Sequence, residues 1–167
     1  MLPDYLEYRH LKPIIDKKIG HIGELFNKQL WGFSISTSET TQQGLDYIDC
    51  TNIEDSISIL EKADWNAVNQ TVNNTRNNKL YQTYKQDYDA IVLVIADILR
   101  TYKTQLSQDD IQHFENIRQA DFITKLNVLY DYEATFPEGG QDFIVKGHRK
   151  LLEDFNHILK DRKIKLS

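Results

Sequence analysis

Apolar residues recur every three or four positions along most of this chain, which is the spacing of amphipathic α-helices. The longest pattern is a heptad seam formed by Tyr81, Tyr84, Tyr88, Ile91, Ile95, Ile98 and Tyr102. This seam predicts a helix from about Lys79 to Gln105. Between Ala90 and Leu99 that helix is apolar almost all round, so we expect it to lie at the centre of the fold.

A shorter apolar stripe precedes the seam and predicts a helix from about Pro13 to Leu30, with the proline in its first turn. Gly20 and Gly23 within it weaken the helix and allow a close approach by another helix. The residues from Thr51 to Glu54 match a capping box with Thr51 as the cap, so a second helix should follow. We expect that helix to continue or restart at Asp64.

Two further helices are predicted after the seam. Ser107 has the character of a helix cap, and the apolar stripe that follows ends before the turn at Phe136–Gly140, with a break expected near Ala120. The last helix should begin at Gln141 or Asp142. Its basic end, residues 160–167, is expected to fray.

The segment 31–50 departs from the helical pattern, because Trp31, Phe33 and Ile35 alternate with small polar residues. Alternation predicts a strand, and a return strand around Tyr47 would complete a small β-hairpin. An ordered loop fits equally well, since an isolated hairpin is marginally stable. We therefore predict a single all-α domain over 1–167, an antiparallel bundle of about five helices with one loop or hairpin insertion.

Composition narrows the class of protein. The chain has one cysteine, Cys50, so neither an internal disulfide nor a cysteine zinc site is available. There is no signal peptide, and the longest apolar run, Ala90–Ala96, is far too short to cross a membrane. We expect a cytoplasmic protein that binds no membrane. The net charge of −5 disfavours nucleic acid as a partner.

Charge is distributed unevenly along the chain. Seven acidic residues against one lysine lie between Glu39 and Asp64, and seven basic residues against three acidic ones lie between Lys146 and Lys165. One interpretation is that the two stretches pair with each other or are simply solvated. The other is that the acidic stretch binds a basic partner protein.

The function we predict from these observations is protein binding or regulation without catalysis, for example by an acidic immunity or inhibitor protein that neutralises a basic partner. The residues expected at that contact are Trp31 and Tyr47 as apolar anchors and Asp46, Asp49, Glu54 and Asp55 as charges. A second possibility is an accessory subunit of a larger helical assembly, or a homodimer. It would require a large exposed apolar patch.

Catalytic signals are weak. No glycine-rich phosphate loop or nucleophile motif occurs, so we lean against an enzyme. The alternative is a helical nuclease in which His157 acts as general acid or base and Arg149 stabilises phosphorane charge. Eight positions separate them, which places them about 80° apart on a helix.

Metal-binding signals are also weak, and we predict neither a metal nor another cofactor. Glu7–His10, Asp110–His113 and Asp154–His157 have an acid-x-x-His spacing, but three such pairs arise easily by chance.

Overall fold

The computed structural model describes residues 2–37, 48–70 and 77–166, and within these ranges the chain folds as an all-α bundle, as predicted. The helices are α1 (Leu2–Thr37), α2 (Ile53–Lys62), α3 (Leu80–Tyr102), α4 (Gln108–Arg118), α5 (Phe122–Asp131) and α6 (Gln141–Asp161), with a short 3-10 helix at Lys103–Gln105. The predicted break near Ala120 separates α4 from α5. None of the helices in the described ranges has the length and apolar character needed to span a bilayer.

The main helix pairs are antiparallel. Lys18 of α1 pairs with Asp97 of α3 at 2.8 Å, and Lys28 further along α1 pairs with Asp87, earlier in α3, at 3.4 Å. Residue numbers therefore rise in one helix as they fall in the other. The contacts that join α4 to α6, and those that join α2 to α6, run in the same antiparallel sense.

The heptad seam of α3 is the centre of the core. All of its members except Tyr102 are buried, which confirms the central position predicted for this face. The tyrosine hydroxyls bond inside the protein: Tyr81 donates to the Ala134 carbonyl at 2.5 Å, and Tyr88 donates to the Ile117 carbonyl at 2.7 Å. Because these hydroxyls have partners, the two tyrosines add apolar area to the core without leaving a polar group unsatisfied.

The strand predicted at Trp31–Ile35 is wrong, because α1 continues through this segment to Thr37. Phe33 lies three residues after Leu30 and extends the buried stripe of α1. Its ring packs against Trp65 at 4.6 Å and against Tyr84 at 6.0 Å between centroids. Tertiary packing of Phe33 thus outweighs the local alternation. The proposed return strand around Tyr47 falls outside the described residues except for Ile48.

Two helix starts differ from the prediction. Helix α1 begins at Leu2 rather than Pro13, and the exposed Pro13 lies inside it. Helix α2 is capped by Asn52, whose side chain accepts a hydrogen bond from the Asp55 amide at 3.2 Å. Thr51, the predicted cap, instead lies one residue before the cap and donates its hydroxyl to Asp49 at 2.7 Å.

No helix restarts at Asp64. The chain crosses the bundle here in an irregular segment, and Trp65 is buried with its indole N–H donated to the Leu60 carbonyl at 3.1 Å. The Trp65 ring stacks on Phe136 at 5.3 Å between centroids. This aromatic contact fixes the position of the chain just after α2.

The end of the chain, where we expected fraying, contacts α1. The Arg162 side chain is buried and donates to Asp16 at 2.8 Å. Leu166 lies over Gly23, where a β-carbon would come within 2.7 Å of the leucine. The close approach at Gly23 is thus made by the C-terminal tail instead of by the helix that we predicted.

Candidate protein-binding surfaces

The acidic residues predicted to bind a partner make contacts within the protein. The Asp49 carboxylate accepts from the Thr51 amide at 2.9 Å, and Asp55 accepts from the Asn52 side chain at 2.7 Å. Both carboxylates therefore stabilise the N-terminal end of α2. Asp46 and Tyr47 lie outside the described residues, and Trp31 is half-buried on α1.

Glu54 is neutralised by the basic end of the chain. Both of its oxygens accept from the Arg149 guanidinium of α6, the second at 3.1 Å. The hydrogen bonds from Arg149, and then its charge, hold the pKa of Glu54 below its usual value. The charge pattern allowed the acidic and basic stretches to pair with each other, and this ion pair joins them at one point.

The two residues of the nuclease alternative do not form one site. Arg149 points toward α2, where it binds Glu54, whereas His157 points toward α4, where its Nε2 lies 2.7 Å from Asp109. A phosphate placed against the Arg149 guanidinium would compete with a carboxylate already held by two hydrogen bonds.

An apolar groove, here called the α1/α3 groove, lies between α1 and α3. It has a volume of about 500 Å³ and is lined by Ile14, Lys17, Lys18, His21, Leu93, Val94 and Asp97. Leu93 is 72% exposed and Ile14 is 42% exposed. This volume falls in the range of ligand-binding clefts, although the groove is shallow.

The rim of the α1/α3 groove is positively charged. Asp97 accepts from Lys18 at 2.8 Å and from Arg100 at 3.2 Å, so one acid is shared by two bases, and Lys17 adds a third exposed cation. The Lys18 hydrogen bond is the main reason that the pKa of Asp97 lies below its ordinary value. The groove thus combines an apolar floor with excess positive charge.

The sequence contained the signal for this groove, but we interpreted it as burial. Helix α3 is apolar almost all round from Ala90 to Leu99, which predicted a helix at the centre of the fold. The seam face is covered as predicted, but the face that carries Leu93 is not. Leu93 and Ile14 therefore leave apolar area in contact with solvent on this side of the bundle.

Comparison with known proteins gives no further guidance, since no protein-family model, curated protein or solved structure matches this chain.

Proposed function

We propose that this protein is a non-enzymatic binding protein or accessory subunit, and that the α1/α3 groove is its contact surface. The observation that carries the proposal is the exposure of Leu93 within the most apolar stretch of the chain. A single exposed leucine is ordinary, but Leu93 shares a continuous groove with Ile14 and Val94. Covering such a surface removes apolar area from water and favours association.

The occupant we propose is an amphipathic helix of a partner protein, with acidic residues beside its apolar stripe. A groove between two antiparallel helices accepts the apolar ridge of a third helix. Lys17, Lys18 and Arg100 outnumber Asp97 at the rim, so acidic flanks on the partner are favoured and basic flanks are disfavoured.

Site-specific photocrosslinking in the native host tests this proposal. A photoreactive amino acid placed at Leu93 should form a crosslink to a second protein, and mass spectrometry should locate the crosslink on an amphipathic segment with acidic flanks. Lys17→Glu, introduced into the same chain, should reduce the yield because it reverses a rim charge. The matched control is Val128 of α5, which is 53% exposed but lies outside the groove.

The results that contradict the proposal are equally specific. Crosslinks from Leu93 to another copy of this chain would assign the groove to self-association. Crosslinks to segments with basic flanks, or equal yields from Leu93 and Val128, would show that the groove does not select the partner we describe.

We also propose that the acidic stretch, residues 39–64, binds a basic protein. Asp55, Glu61 and Asp64 are exposed, and none of them has an ion-pair partner among the described residues. Charge reversal at Asp46 and Asp49 should slow association with such a partner, with a weaker effect at high salt. Unchanged association kinetics would reject this second contact while leaving the α1/α3 groove untouched.

A further inference from the structure

Two histidines and two aspartates meet between α4 and α6, on a part of the bundle separate from the α1/α3 groove. Asp109 and His113 are one turn apart on α4, and α6 places His157 and Asp154 opposite them. Asp109 Oδ2 lies 2.7 Å from His157 Nε2 and 3.8 Å from His113 Nε2. The two imidazole rings are 4.1 Å apart between centroids.

Asp154 determines how the His113 ring is oriented. Its side chain is only 9% exposed, and its Oδ1 lies 2.6 Å from His113 Nδ1. The same oxygen accepts from the Asn116 side chain at 3.2 Å, which holds the carboxylate in place. A neutral His113 that donates from Nδ1 to Asp154 presents the lone pair of Nε2 toward Asp109.

The cluster has the donor set of a metal site. One oxygen of Asp109 and one nitrogen from each histidine lie within 4.8 Å of one another. Ligands about 2.0–2.2 Å from a tetrahedral ion are about 3.3 Å from each other, so small side-chain movements bring these atoms onto one ion. The exposed side of the cluster leaves room for water as the fourth ligand.

We propose that Asp109, His113 and His157 bind a zinc ion, and that Asp154 is the positioning residue that orients His113. Two imidazole nitrogens with one carboxylate favour zinc over magnesium or calcium, which prefer oxygen ligands. A buried carboxylate on the far nitrogen of a ligating histidine is the usual outer contact of zinc sites. The ion replaces the hydrogen bond between His157 and Asp109 and displaces its proton.

Calorimetric titration of the metal-free full-length chain with Zn²⁺ tests the site, with Co²⁺ absorption as a second readout of tetrahedral coordination. We expect one ion per chain in the wild type and loss of that binding in His157→Ala, whose partly exposed side chain can be removed without opening the core. Asp154→Asn should retain the three ligands but weaken binding by about 10- to 100-fold.

His21→Ala is the matched control, because His21 is an exposed histidine 3.2 Å from a carboxylate, that of Glu24, on α1. It should bind Zn²⁺ as the wild type does. The proposal is overturned if His157→Ala also binds like the wild type, or if the wild type takes up no ion. It is equally overturned if binding is lost in His21→Ala but retained in His157→Ala.

Discussion

Helix α6 carries two histidines, His148 and His157, into very different surroundings. His148 is fully buried, with Nδ1 2.7 Å from the Tyr84 hydroxyl and the Phe26 ring against its edge. His157 is half-exposed and faces a carboxylate and a second imidazole. Burial lowers the pKa of His148 from 6.5 to about 3, so that ring stays neutral. The comparison shows that one helix can use histidine as a core residue at one end and as a solvent-accessible donor at the other.

The largest loss of stability should come from truncating a core side chain next to His148. Phe26→Ala removes a fully buried ring that contacts both His148 and Phe155. We expect the free energy of unfolding to fall by about 3–5 kcal/mol, measured by urea denaturation. A loss below 1 kcal/mol would mean that the aromatic cluster is loosely packed.

The next effect is the pH dependence that the buried His148 contributes to stability. The unfolded chain takes up a proton at His148 near pH 6.5 and the folded chain does not, so stability is lost as pH falls below 6.5. Between pH 7 and pH 5 the contribution is about 2 kcal/mol. His148→Gln, which retains an acceptor for Tyr84, should remove it from the pH profile of the unfolding free energy. An unchanged profile would show that another group is responsible.

A smaller loss of stability is expected when only the hydrogen bond between Tyr84 and His148 is removed. Tyr84→Phe removes the hydroxyl next to His148 Nδ1, and the other ring nitrogen, Nε2, already has no hydrogen-bond partner among the described residues. The variant should lose about 1.5 kcal/mol in the same denaturation experiment. A stability equal to that of the wild type would indicate that water replaces the hydroxyl.

The smallest change in stability is expected at His157, which lies nearer the C-terminal end of α6 than His148 does. In metal-free buffer, His157→Ala removes a half-exposed side chain and should change the unfolding free energy by less than about 0.5 kcal/mol. A loss of unfolding free energy as large as that of Tyr84→Phe would show that His157 stabilises the fold as much as the buried hydrogen bond of His148 does.

The helices and the core were predictable because apolar periodicity records which face of a helix is buried. The helical conformation of Trp31–Ile35 was not, since Phe33 fits both an alternating and a helical pattern and only its contact with Trp65 distinguishes them. Local alternation could not reveal that contact across the fold.

The α4/α6 cluster was only partly predictable. The acid-x-x-His spacing singled out His113, Asp154 and His157, but we attributed it to chance and predicted no metal, and it paired His113 with Asp110 instead of Asp109. Ser107 caps α4, and this sets the phase of the helix so that Asp110 is buried and Asp109 faces the histidines. Spacing along one helix could not give the partner from α6, which depends on how the two helices align.

The ion pair between Glu54 and Arg149 has a consequence for the electric field around the molecule. A chain with an acidic stretch and a basic stretch would form a large dipole if the stretches lay at opposite ends. Antiparallel packing of α2 on α6 instead places Glu54 and Arg149 side by side, so the fields of these two charges largely cancel beyond the Debye length of about 8 Å in physiological salt. A distant charged molecule therefore experiences a weaker orienting force from this pair than the separation of the two residues along the sequence suggests.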